Sequence, residues 1–298
     1  MTERVNPNIV PDLLAGLDTV KEQINQADIE LASGRTINVP SDNPAGTAAL
    51  VLNHDAQNAV DTFQQNIGDL QNRLNTADSA LSSAVDALNQ AISLGVEAGN
   101  SDLSDQDRQA IAQQLTGIQQ ELLGIANTTV GGTYLFSGTL VETKPFALNA
   151  ASPDGVTYSG NSSVSSVEIS RGQTLNVNVP GDQLFLNASG SVFGAINQLI
   201  TAVQTNSGIA NASVALGQAS SQFDTQRLAY GNALNELQST GTFLSSEELQ
   251  LSTQESNIDA ADIAKVTTEF SQEDVAYQAA LAAEGKILSL PNLLDYIQ

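Results

Sequence analysis

From Leu13 onward, apolar side chains fall at Leu13, Leu17, Val20, Ile24, Ala27 and Leu31, in alternating steps of four and three. That spacing draws one apolar stripe along a helix and favours a helical partner. Gly34 then stops the helix in the usual position for a C-terminal glycine. A comparable rhythm returns near the other end of the chain, at Ile263, Val266, Phe270, Tyr277, Ala280 and Ile287, interrupted by Ser271–Asp274 and by Glu284. The pattern thus predicts two sticky helices at opposite termini, which either pair with each other or await neighbours.

Between them lies more helix. Asn43 and Pro44, a capping residue followed by a first-turn proline, predict a helix start. Ala49, Leu52, Ala56, Ala59, Phe63, Ile67, Leu70, Leu74, Ala77, Leu81, Ala84, Leu88 and Ile92 then keep the rhythm until Gly99. A run of that length points to a coiled-coil rod. Ser104 to Asp107 opens a further helix with a capping-box pattern, striped by Ile111, Leu115, Ile118, Leu122 and Ile125. Its short connection predicts an antiparallel pair with the rod. From Gly131 to about Gly190 short alternating runs are separated by Gly, Ser, Asn, Asp and Pro, the signal of strands and hairpins. Helical periodicity resumes at Phe193 to Val203. It continues in a second long helix over roughly 211–256, with Phe223, Tyr230, Leu234, Leu237 and Leu244 on its face, and in a last helix over about 260–288.

The expected architecture is therefore mainly α with a small β-rich insert: long antiparallel helical rods built from both chain ends, with a β domain protruding from the middle. The expected segments are 1–42 (terminal helix and connector), 43–130 (first half of the rod), 131–190 (β-rich domain), 191–256 (second half of the rod) and 257–298 (C-terminal helix).

Charge and composition narrow the function. The chain carries 33 acidic and 10 basic residues, and the bases are scattered singly, so neither nucleic acid nor an anionic membrane surface is an expected partner. No cysteine is available for disulfides or thiolate metal sites. No stretch approaches the ~20 apolar residues that span a bilayer, and the N-terminus lacks the pattern of a signal peptide. The lone His54 has no histidine partner for metal or triad chemistry and reads as a solvated side chain; Asp102, Asp105 and Asp107 lack the glycine and twelfth-position Glu of a calcium loop and read as helix caps. No nucleophile elbow, phosphate loop or dinucleotide fingerprint occurs. Neither an enzyme nor a cofactor is expected.

Three stretches and the ending of the chain carry a resemblance. Leu31 to Gly46 (LASGRTINVPSDNPAG) resembles the connector between the first two helices of the bacterial flagellin family, which takes in the filament flagellins and the hook–filament junction proteins. Glu255 to Asp262 (ESNIDAAD), running on to Glu269, resembles the start of the family's last helix. Gly131 to Gly138 (GGTYLFSG) and the ending Leu293 to Tyr296 look more like the junction proteins than like flagellins. The run Met1 to Asp12 departs from the family's usual start.

The resemblance implies an extracellular structural subunit of the flagellum, at the hook–filament junction, exported through a type III apparatus without a cleavable signal peptide. It implies self-association in a ring or tube, hook-associated protein 1 on the hook side, flagellin on the filament side, and an export chaperone on the C-terminal helix. The expected assembly interface comprises Leu13, Leu17, Val20, Ile24, Leu31, Ile263, Val266, Phe270, Tyr277, Ile287 and Leu294, with Arg35 and Asp42 as charged participants of a subunit-contact loop. Two alternatives stand beside it: a flagellin, and a stalked surface-binding module whose contacts would be Thr133–Phe136, Phe146, Tyr158 and Phe185.

Overall fold

The computed structural model describes residues 9–288 apart from 101, 188 and 189. Its elements are α1 (Ile9–Ser33), α2 (Pro44–Ala98), α3 (Asp105–Ala126), six short strands, α4 (Gly181–Phe185), α5 (Val192–Thr205), α6 (Ile209–Asp259) and α7 (Ile263–Leu288). The fold is helical with a small β-rich insert, the class that the pattern predicts. The chain forms two compact units, Met1–Asn58 with Glu248–Gln298 and Ala59–Glu247, and the boundary falls inside α2 and α6.

In the first unit α1 and α7 pack along each other. Gly34, at φ 70°, ends α1 in a conformation that a side chain would resist. The N–H of Ala261 then donates to Gly34 O at 3.0 Å, so the end of α1 meets the start of α7 and the pair is antiparallel. At the head of α2, Asn43 Oδ1 accepts from the N–H of Gly46 at 2.9 Å, capping a helix whose first residue is Pro44.

The first turns of α2 correct the expected stripe. Ala49 and Leu52 face solvent, Leu52 at 71% exposure, while Leu50, Asn53 and Val60 are buried. Polar side chains take the seam here because α6 offers them partners: Asn53 Nδ2 donates to Leu251 O at 3.0 Å and Gln57 Nε2 to Glu255 Oε2 at 2.9 Å. From Ile67 the expected stripe and the observed one coincide, through Leu70, Leu74, Ala77, Leu81, Ala84 and Leu88.

In the second unit these residues join Leu115 and Leu122 of α3, Phe193, Ile196, Leu199 and Val203 of α5, and Leu216, Phe223 and Leu237 of α6 in one core. Each buried Leu, Ile, Val or Phe among them contributes roughly 1.5–3 kcal/mol by leaving water. Ser104 caps α3 in a capping box closed by Asp107, whose carboxyl the Ser104 bonds hold below its ordinary range. The closest approach of α3 is to α5 rather than to its expected partner α2, with buried alanines (Ala112, Ala126, Ala195, Ala202) on the two helices. Arg227, which the sequence places in the stripe of α6, bonds Asp78 on α2 at 3.0 Å. The adjoining Tyr230 hydroxyl is pushed up from its ordinary value by burial and then by Asp78.

The insert is three antiparallel hairpins: β1 (Thr129–Val130) with β2 (Thr133–Tyr134), β3 (Phe146–Leu148) with β4 (Val156–Tyr158), and β5 (Ser166–Ser170) with β6 (Gln173–Asn176). It is fastened to the helices by rings. Phe185 stacks edge-on to Phe136 and Phe146 at 5.4 Å each, and to Phe223 of α6 at 5.2 Å, while Phe146 lies 5.6 Å from Phe193 of α5. Gly181 permits this closeness, since a Cβ there would come within 2.6 Å of Phe136 O and 2.7 Å of the Phe146 ring. Phe136, Phe146 and Phe185 are thus core, not the ligand contacts of a binding module. Burial, reinforced by Asp182, raises the Tyr158 hydroxyl to about 12; it lies 3.0 Å from Phe136 O and 2.9 Å from Asn161 O.

Candidate assembly interface

On α1 the residues Leu13, Leu17, Val20, Ile24, Ala27 and Leu31 are all buried or half-buried, and the helix face that carries them is the one laid against α7. The unbroken 4-3 spacing is what sets them in one line. On α7 the matching face is Val266, Phe270, Glu273, Tyr277, Ala280 and Glu284. Ile263 continues the same alternation of three and four but, as the first residue of α7, is 48% exposed. Two acids thus stand among the apolar seam positions of α7, and Glu273 Oε2 is buried with no hydrogen-bond partner. Ile287 closes the predicted stripe in the backbone of α7, and Leu294 lies outside the described residues.

Where α1 and α7 meet the longer helices, one buried carboxylate organises the backbone. Asp259, the last residue of α6, is 3% exposed. Its carboxylate accepts from Arg35 Nε and, at 2.9 Å, from the N–H of Ile37. Its carbonyl accepts from the N–H of Thr36 at 2.7 Å and from Thr36 Oγ1 at 3.2 Å. Both connectors are therefore tied to one residue. A buried charge persists only where it is paired and hydrogen-bonded, and this one is both.

One turn earlier on α6, Glu255 gathers a second set. His54 Nε2 lies 3.0 Å from Oε1, Gln57 donates to Oε2, and Arg35 Nη2 stands 4.0 Å away. The His54 and Gln57 bonds, with the nearby Arg35 and His54 charges, hold the Glu255 carboxyl below its ordinary value. Arg35 is thereby shared between two acids on α6. His54 is half exposed, and it is a bonded member of this joint rather than a freely solvated side chain.

The connector is closed locally as well. Asp42 Oδ2 accepts from the N–H groups of Asn38 and Val39, each at 2.9 Å, and Ile37 is buried beneath the turn. On the other connector Asp262 Oδ1 accepts from the N–H groups of Ala264 and Lys265 at 3.1 Å, which caps α7.

The structure brings Leu13, Leu17, Val20, Ile24, Leu31, Val266, Phe270 and Tyr277 together in one seam, with Arg35 at its end. Sequence reasoning missed Asp259, Asn53, Gln57 and Glu255. Asp259 reads in the sequence as one of two acids at a helix start, and only Asp262 has that role. Among the described residues no group of His, Asp or Glu is arranged to hold a metal ion, and no helix is long and apolar enough to cross a membrane.

Residues 10–140 match the family model of the bacterial flagellin N-terminal helical region, a span that covers α1 to α3, the first connector and the start of the insert. Flagellar hook-associated protein 3 of Escherichia coli is 26% identical over 85% of this chain and 87% of its own length. The chain is similar to hook-associated protein 3 over most of its length. The flagellin of Bacillus subtilis is likewise 26% identical, over 99% of this chain and all of that protein. Among solved structures, a hook-associated protein described as putative, from Vibrio parahaemolyticus, covers 74% of the chain with a TM-score of 0.67 at 21% identity. FlgL of Xanthomonas campestris covers 68% with a TM-score of 0.61, also at 21%. These likenesses establish the flagellin-type fold. The family-model match includes the connector that Arg35 and Asp42 shape, and it ends far before the Glu255–Asp259 half of the joint.

Proposed function

We propose that this chain is a structural subunit of the bacterial flagellum, an adaptor that joins hook to filament through coiled-coil assembly of its terminal helices. The observation that carries the reading is the α1–α7 coil seated on the Arg35–Asp259 joint, in a chain similar to hook-associated protein 3 over most of its length. On this reading α1, α7 and the connectors form the axial core, α2, α3, α5 and α6 the surrounding rod, and the insert the outer surface. Leu13, Leu17, Val20, Ile24, Leu31, Val266, Phe270 and Tyr277 make the core coil. Ile263, 48% exposed at the start of α7, is placed for a neighbouring subunit. Arg35 and Asp42 act by shaping the contact loop, since both are bonded within the chain.

The partners on this reading are further copies in a ring or tube, hook-associated protein 1 on the hook side and flagellin on the filament side. An export chaperone holds α7 before assembly, and the destination is extracellular. Replacing Phe270 with Asp puts a charge into the α1–α7 seam without touching the second unit. The variant should lose incorporation into flagella while keeping the helicity of that unit, and undiminished incorporation would sink the reading. A second reading, filament flagellin, is favoured by the end-to-end match to the Bacillus subtilis protein.

A further inference from the structure

Between the β5–β6 hairpin and α6, the second unit holds a cavity of about 320 Å³. The deep part of its lining is apolar and buried: Leu74 of α2, Pro180, and Tyr230 of α6. Leu175 and Val179 are half-buried on the hairpin side, and Val164 stands at the mouth with 47% of its surface exposed. Val164 is held where it stands. Asn178, itself buried, accepts from the N–H of Ser165 at 2.8 Å and donates to Ser163 O at 3.1 Å, so the residues on both sides of Val164 are bonded to one side chain. The N–H of Val177 donates to Ser165 O at 2.9 Å, which continues the hairpin beyond its strands. The apolar mouth is therefore preformed, and filling it costs little further ordering of the chain.

Charge and size say what fits. None of the described lining residues is charged, in a chain whose net charge is −23. An anion would enter against that field. A cation would find no carboxylate in the lining to pair with, and a charge buried without a partner is costly. The hydrogen-bonding side chains toward the mouth are neutral amides, Gln226 half-buried and Asn176 and Gln183 exposed. The volume is at the lower end of the roughly 300–1,000 Å³ typical of ligand sites, and it admits a single ring with a short substituent.

We propose that this cavity is a binding site for a small neutral molecule made of one apolar ring and a hydroxyl or amide substituent. The ring lies against Leu74, Leu175, Val179 and Tyr230, and the substituent meets the amides of the mouth. Because the hairpin, α2 and α6 all contribute to the lining, the bound molecule clasps the insert to the helices. The site lies wholly within the second unit and does not depend on the flagellar reading.

The test is an NMR titration of the valine and leucine methyl groups of the full-length chain with benzyl alcohol, and with benzoate as a charged counterpart of similar size. Shifts at Val164, Leu175 and Val179 should saturate with a Kd on the order of 1 mM, as suits a ligand of so few atoms. Benzoate should bind about tenfold more weakly or worse, since its charge finds no partner. Ala229→Phe, at an exposed position of α6 that lines the cavity, should cover the mouth, and Val164→Asp should set a carboxylate in it. Both positions are exposed, so circular dichroism should match wild type, while the affinity for benzyl alcohol falls by about tenfold or more in each. Shifts that never saturate, shifts centred elsewhere, benzoate binding as tightly as the alcohol, or variants that bind like wild type would each overturn the proposal.

Discussion

Asp259→Ala tests the joint most sharply, because one side chain there serves two segments more than 200 residues apart in the chain. The substitution leaves the Asp259 carbonyl bonds to Thr36 in place and removes only the carboxylate. Two consequences follow. The buried N–H of Ile37 loses its acceptor, a deficit of about 1–3 kcal/mol. Arg35 loses its closest acid, but its side chain is 47% exposed. Solvent screening limits that part to about 1 kcal/mol or less. Together the first unit should open about 2–3 kcal/mol more easily, and each 1.36 kcal/mol is a tenfold change. Native-state amide exchange reads this directly. Protection at Ile37 and through the first turns of α7 should fall about 30- to 150-fold, while the aromatic core of the second unit keeps its rates. Asp259→Asn, which preserves an acceptor for Ile37, should lose less. Unchanged protection of α7 in Asp259→Ala would refute the claim that this carboxylate holds the connectors.

Four further outcomes are expected. Glu255 is held below its ordinary carboxyl value, so its bonds to His54 and Gln57 stabilise the unit above about pH 4.3, the unfolded value, and that contribution fades as pH falls through the lower folded value. Comparing wild type with Glu255→Gln by denaturant titration at pH 7 and pH 3.5 should show a difference that shrinks at the lower pH, and a constant difference would contradict it. Phe146→Ala should cost about 3–5 kcal/mol, read as a lowered midpoint of the second unit, because its ring is fully buried against Phe185 and Phe193. Tyr158→Phe should cost about 1 kcal/mol through its lost hydroxyl bond, and the wild-type phenol should titrate near pH 12 by ultraviolet absorbance. Glu273→Leu should raise the melting temperature of the α1–α7 coil, since it removes a buried carboxylate oxygen that has no hydrogen-bond partner; a lowered value would mean that the carboxylate is stabilised there.

The α1 stripe is legible in the sequence because every seam position there is apolar and the spacing never slips. The same rule misleads at the head of α2. There Asn53 and Gln57 hold the seam and Leu52 faces outward, so counting apolar residues selects a neighbouring face. On α7 the spacing holds, but Glu273 and Glu284 occupy seam positions where apolar residues are expected, and Ile263, at the first residue of the helix, is left 48% exposed. Asp259 is illegible for another cause: what distinguishes it from Asp262 is its distance from Ile37, and no local pattern encodes a contact between chain ends. The insert shows its hairpins through its glycines and short alternations. That its phenylalanines anchor it to α5 and α6 depends on how the chain returns, so removing residues 140–189 would strip Phe146 and Phe185 from a shared core and disturb the helices as well.

The central claim is one of place, and immunogold electron microscopy of native flagella, with antibody to the β-rich insert, tests it most directly. Label should be confined to a single band between hook and filament. Label along the whole filament would contradict the adaptor and make the chain a flagellin.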